Sequence, residues 1–147
     1  MFMTIRLAQI NDLEACVAID APNFNIFDRE KRRKHFLDMI PREMMLVMEL
    51  NSRIVAYASF DSDWFGSTFL KLLVTDQAFR RQGLASKLIH HIETNHCPSE
   101  KLFSSTEADN EPSIQMHKQL GFKQSGWLDN LPQPHREIFY FKSTGLQ

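Results

Sequence analysis

Two arginines and a glutamine stand directly ahead of a glycine that opens an amphipathic stretch, Arg80-Arg81-Gln82-Gly83-Leu84-Ala85-Ser86. That order suits anion binding. The first N–H groups of a helix have no intrahelical partner, and the aligned peptide dipoles add about half a positive charge there. A glycine at that point has no side chain to keep a phosphate from those amides, and the arginines add charge. A plain strand-to-helix turn would have the same outline. The chain has only 5 glycines, and the pattern is neither a dinucleotide fingerprint nor a P-loop, both of which need more of them.

A second stretch with chemical content is Asn110-Glu-Pro-Ser-Ile-Gln-Met-His117-Lys-Gln-Leu-Gly121-Phe122. Asn110 suits the cap of a helix whose first turn holds Pro112 and which Gly121 ends. His117 shares a helical face with Ile114 and Leu120, so taken alone it reads as a packed or solvated residue before it reads as a catalyst. Three histidines at positions 90, 91 and 96 lack a metal-ligand arrangement such as HExxH. The basic run Arg29–Lys34 reads most simply as the solvated face of a helix that buries Phe36, Leu37 and Ile40.

These residues need a scaffold, and the hydrophobic pattern supplies one. Thr4–Leu7 reads as a strand, followed by a helix with Asn11 as N-cap and Glu14 at the capping-box spacing. Ala21–Asn25 reads as a loop, then a helix from about Asp28 to Met39 is closed by Pro41. Met44–Leu50 and Ile54–Phe60 form a hairpin around Asn51-Ser52-Arg53, and Asp61–Ser67 turns into a strand at Thr68–Thr75. After Gly83 a helix places Leu84, Leu88, Ile89 and Ile92 on one stripe. Lys101–Ser105 is a strand, a helix runs from Pro112 to Leu120, and Phe122–Leu128 and Glu137–Lys142 are closing strands. The order β-α-α-β-β-β-α-β-α-β-β implies an α/β fold with helices packed on a mixed sheet.

The chain of 147 residues is expected to form a single domain, residues 1–147. Its 43% hydrophobic and 24% charged content is that of a water-soluble globule. A formal net charge of −1 provides no global field for nucleic acid or an acidic membrane. Cys16 and Cys97 are isolated thiols, and no apolar run is long enough to span a bilayer, so a cytoplasmic location is expected.

Together, the two stretches resemble the GNAT family of acetyl-CoA-dependent N-acetyltransferases. Residues 80–85 fit that family's Gln/Arg-x-x-Gly-x-Gly/Ala loop. Asn110, Met116-His117 and Gly121-Phe122 fall at the spacing of its Asn, aliphatic–Tyr pair and Gly-Phe. The element order is also the family's, from Thr4 to about Lys142. The resemblance implies a GNAT-like fold, acetyl-CoA as cosubstrate and no metal. It implies that Leu73, Val74 and Thr75 line the pantetheine arm, that amides of Arg81 to Ser86 hold the pyrophosphate, and that Asn110 contacts the cofactor. His117 occupies the place of the usual tyrosine and is thereby the candidate general acid. A histidine near pKa 6.5 can protonate a thiolate leaving group of pKa about 8.5, although its reach is shorter.

The general base is poorly marked, because Lys71 and Ser104-Ser105 stand on the strands where many relatives keep a glutamate. Glu107, Asp61 and Asp63 are the available carboxylates, with Glu107 the candidate base and each also readable as a solvated turn residue. Phe24, Asp61, Asp63 and Trp64 are candidates for the acceptor pocket, where Trp64 and Phe65 would otherwise fill a core edge. The expected function is acetyl transfer to a primary amine of a small molecule or peptide by direct attack in a ternary complex, as a monomer or homodimer. The alternative is a catalytically weak acyl-CoA-binding sensor or scaffold. A third reading, RNA association through Arg29–Lys34, would show salt-dependent binding.

Overall fold

The computed structural model describes residues 2–20 and 26–144. The strands are β1 (Met3–Leu7), β2 (Met45–Leu50), β3 (Arg53–Trp64), β4 (Ser67–Thr75), β5 (Lys101–Glu107), β6 (Lys123–Leu128) and β7 (Glu137–Ser143). The helices are α1 (Leu13–Asp20), α2 (Ile26–Met39), α3 (Leu84–Asn95) and α4 (Glu111–Gln119). The sheet is mixed, with strand order β1-β2-β3-β4-β5-β7-β6. β4 and β5 are parallel, with Thr68, Phe69 and Leu70 opposite Leu102, Phe103 and Ser104. This is the α/β architecture expected from the sequence.

The chain forms two compact units, whose division falls within β3, β4 and α3. Unit one comprises Met1–Phe60 and Leu72–His91, and unit two comprises Asp61–Lys71 and Ile92–Gln147.

Unit one is built on a core of Leu13, Cys16 and Val17 from α1, Phe36 and Met39 from α2, and Met45, Val47 and Tyr57 from the sheet. A buried polar contact ties these elements together. The Tyr57 hydroxyl donates to Asp20 at the end of α1, and Arg32 Nε lies 3.3 Å from the same carboxylate oxygen. Burial pushes the Asp20 carboxyl up, while Tyr57 and Arg32 pull it down.

The start of α1 differs from the expected capping by Asn11. A 3-10 turn over Ile10–Asp12 precedes the helix, and Asp12 accepts the Gln9 N–H at 2.7 Å. Asp12 takes this role because Arg6 holds it in a paired contact, at 2.7 and 2.9 Å. That pairing keeps its carboxyl below the usual range despite burial.

The β2–β3 hairpin turns at Asn51 and Ser52, both at positive φ, the mirror-image turn that fits strand twist. β3 continues to Trp64, past the expected end at Phe60. The segment read as a turn from Asp61 onward is strand, and the turn itself is made by Phe65 and Gly66, at φ 51° and 75°.

In unit two, β5 and β7 pair antiparallel from Lys101↔Ser143 to Glu107↔Glu137, and β6 pairs with β7 around a bulge near Gly126. Leu102, Ser104, Thr106 and Tyr140 alternate to one face of the two strands and are buried, as are His117 and Phe122. α4 is capped by Asn110, whose side-chain oxygen accepts the Ser113 N–H at 3.3 Å. It ends at Gly121, where φ is 90°.

Candidate functional site

The loop that leads into α3 lies wholly in unit one. Leu73, Val74 and Thr75 form the end of β4 and are half-buried, with Val74 packed on the unit-one core. Asp76 then accepts the Ala78 N–H at 2.9 Å, closing a turn whose Phe79 ring is covered by the Arg53 guanidinium. Arg81 and Gly83 both adopt left-handed backbone, φ 64° and 74°, on either side of Gln82. Such alternation turns successive N–H groups toward one side and forms an anion-binding concavity. Around Gly83 there is open space where a Cβ would sit. The side chains of Arg80, Arg81, Gln82 and Ser86 are exposed and Ala85 is half-buried, while Leu84 is buried and anchors the first turn of α3. The loop therefore joins two left-handed residues and exposed cationic side chains to a buried base at Leu84, an arrangement that suits a phosphate group.

In unit two, Asn110 is the cap of α4 and is exposed at its N-terminus. His117 is 2% exposed. Its Nδ1 lies 2.7 Å from the Ser113 carbonyl, which can only accept, so Nδ1 carries the proton. Its Nε2 then accepts from the Ser104 hydroxyl at 2.8 Å. The ring stacks on Tyr140, 4.4 Å between centroids, and meets Phe122 edge-on. Burial lowers the proton affinity of His117, against the Ser113 carbonyl and the charge of Glu137, which raise it. The result is a neutral imidazole with both nitrogens engaged. In this arrangement both ring nitrogens have partners, the Ser113 carbonyl and the Ser104 hydroxyl.

Glu107 ends β5 and is half-buried, directly across from Glu137 on β7. Its carboxylate also groups with Asp109 and His135, with one ligand atom of each within 4.8 Å of the others. His135 Nε2 is 3.3 Å from Asp109, an ion pair when the imidazole is protonated. Asp61 accepts the Asp63 N–H at 2.9 Å, a local contact on the last part of β3. Trp64 is half-buried and packs on Phe69, Phe103 and Phe139. Phe65, by contrast, is 92% exposed and fills no core edge. Phe24 lies outside the described residues, as does the loop Ala21–Asn25 that holds it.

Sequence reasoning missed Ser104 as the partner of His117 and Glu137 as the partner of Ser105, whose hydroxyl donates to it at 2.6 Å. The alternation Glu137-Ile138-Phe139-Tyr140 was the available signal, since it puts Glu137 and Phe139 on one face.

The comparisons agree with this architecture. The model of the acetyltransferase (GNAT) family matches residues 13–122. A GNAT-family acetyltransferase from Bacillus cereus is 28% identical, with a TM-score of 0.81 over 97% of this chain and 98% of that one. Ard1 from Thermoplasma volcanium, 17% identical, superposes at a TM-score of 0.78 over 97% and 98% of the two chains. The putative acetyltransferase yncA from Salmonella typhimurium, solved with its cofactor acetyl-CoA, is 21% identical, with a TM-score of 0.68 over 99% and 95%. No curated protein matches. Among the described residues, no helix is long and apolar enough to cross a membrane.

Proposed function

The chain belongs to the GNAT acetyltransferase family, and on that premise we propose that it transfers acetyl from acetyl-CoA to a primary amine by direct attack in a ternary complex. The observation that carries this reading is the loop at 81–86, with left-handed Arg81 and Gly83 and open space at the glycine. A relative with the same fold was solved with acetyl-CoA. The amides of residues 81–86 would hold the pyrophosphate, and Asn110 is a separate candidate for cofactor contact. The end of β4, Leu73 to Thr75, would offer backbone groups to the pantetheine arm, which supports polarisation of the thioester carbonyl by fixed dipoles. Acetyl-CoA supplies the activated acetyl group.

An amine reaches the enzyme as ammonium and must lose a proton before it attacks, and Glu107 is the carboxylate best suited to take it. Phe24, Asp61, Asp63 and Trp64 remain our candidates for contact with the acceptor, which is a small-molecule or peptide amine. We read residues 1–147 as one catalytic domain, cytoplasmic, monomeric or a homodimer, and acting without a metal or nucleic acid. The family match, which runs through both units, supports the single-domain reading.

Release of free CoA thiol from acetyl-CoA in the presence of amines tests the proposal. A thermal shift with acetyl-CoA but no amine-dependent thiol would favour the second reading, an acyl-CoA-binding sensor or scaffold. The engaged nitrogens of His117 are the observation behind that alternative. Absence of any shift with acetyl-CoA would remove both.

A further inference from the structure

One face of the unit-two sheet joins aromatic rings to a pair of like charges. Trp64 lies 4.8 Å from Phe69 and 5.1 Å from Phe103, centroid to centroid, and stacks on Phe139 at 6.2 Å with an 11° interplanar angle. All four are half-buried. Alternation along β7 puts Glu137 on the same side as Phe139, and the register puts Glu107 directly opposite Glu137. Like charges in directly opposed positions on neighbouring strands repel. Yet Glu137 is held in place, accepting from Ser105 at 2.6 Å and from the Gln133 amide at 3.1 Å. Among the described residues, no lysine or arginine forms an ion pair with Glu107 or Glu137. Beside the rings, Gly126 is the register partner of Phe139, and a Cβ there would meet open space.

Glu107 has His135 within 4.8 Å as its ionisable neighbour, Glu137 is held by neutral donors, and a cation suits the two carboxylates as a flat apolar group suits the rings. We propose that this face binds the acceptor, a primary amine carried on an aromatic body, with its ammonium at Glu107 and Glu137 and its ring on Trp64 and Phe139. The proposal rests on the acetyltransferase reading and narrows its acceptor class. The ammonium brings a charge opposite to that of the two carboxylates. The ring gains offset or edge-on aromatic contact, and the space at Gly126 leaves it room beside Phe139. A polyamine would satisfy the carboxylates but leave the rings against water, and a short alkylamine would do the same.

Two measurements on the full-length protein separate this from the activity itself. Binding of 2-phenylethylamine is followed by tryptophan fluorescence in a Trp127→Phe background, where Trp64 is the remaining indole. Saturable quenching is expected, weakened at least about tenfold by Glu137→Gln. Thiol release is then compared for 2-phenylethylamine, spermidine and ethylamine. The kcat/KM for 2-phenylethylamine should exceed that for ethylamine by about tenfold, and Phe139→Leu, which keeps an apolar side chain, should bring the ratio close to one. Saturable quenching without thiol release with any amine would uphold the binding face and sink the acetyltransferase reading. Thiol release that prefers spermidine, with no quenching by 2-phenylethylamine, would overturn the face and leave the activity standing. A dimer that dissociates in Phe139→Leu would also overturn it, because a second copy would then occupy the rings.

Discussion

The Ser104 hydroxyl donates to His117 Nε2 across 2.8 Å, joining β5 to α4 inside unit two. The opposite nitrogen is bound to the Ser113 carbonyl, so the imidazole is a neutral strut between a strand and its own helix. Ser104→Ala would leave Nε2 buried without a donor. We expect a loss of about 1–3 kcal/mol, read as a lower urea midpoint at unchanged slope. A variant as stable as the parent would show that the contact does not hold α4.

The same contact predicts how catalysis responds. His117→Phe retains a ring to stack on Tyr140 but removes both nitrogens. For a strut, kcat per folded molecule should stay within about threefold of the parent, since a positioned acid contributes about 10² or more. A fall of that larger size would return His117 to the role of proton donor.

His117 also makes stability depend on pH. Burial lowers its proton affinity in the fold, more than the Ser113 carbonyl and Glu137 restore it. The unfolded chain therefore binds the proton more readily than the folded one. Its contribution is fully present above the ordinary imidazole value, about pH 6.5, and is lost as pH falls through that value toward the lowered folded one. Melting temperature should decline across this window, and more steeply in the parent than in His117→Phe. His91, lowered by burial and by neighbouring His90, leaves some slope in the variant. Coincident profiles for the two proteins would assign the whole slope elsewhere.

At the α3 entrance, Gly83 is required for its conformation and not for want of space. With φ at 74° and nothing near a Cβ, Gly83→Ala should cost about 1–2 kcal/mol through backbone strain alone. Acetyl-CoA affinity, measured calorimetrically, should fall by about tenfold as the amides turn away. Arg80→Gln and Arg81→Gln remove exposed charges and should each weaken binding only about threefold. Larger losses from the arginines than from the glycine would mean that side chains, not amides, carry the phosphate.

The loop at 80–86 was legible because its chemistry is local: one glycine, one helix start and adjacent charges state the whole arrangement. Asn110 and Gly121 were legible for the same reason, as the two ends of α4. The aromatic face was not. Trp64, Phe69, Phe103 and Phe139 come from four strands, and only the strand order and register set their rings side by side. The end of β3 misread as a turn because Asp61, Ser62 and Asp63 are poor strand formers. Their place in the sheet overrode that preference, and the reversal needed only Phe65 and Gly66. The partners of His117 were hidden for a further reason, since a neutral buried histidine leaves no mark that separates it from a catalytic one.

The two thiols should differ sharply in reactivity, and the difference reports on the unit-one core. Cys16 is fully buried on α1, and burial, with Asp12 and Asp20 nearby, pushes its pKa up to about 12. Cys97 is half-buried, and although burial raises its pKa too, a contact with Thr68 offsets part of that rise. The thiolate is the reacting form, so iodoacetamide at about pH 8 should modify Cys97 slowly and Cys16 hardly at all in the folded protein. In urea both should react at the same rate. Tyr57→Phe removes the hydroxyl that ties Asp20 to the sheet, so labelling of Cys16 should rise about tenfold or more as the core opens more often. Rapid native labelling of Cys16 in the parent would show that α1 is not held by this core.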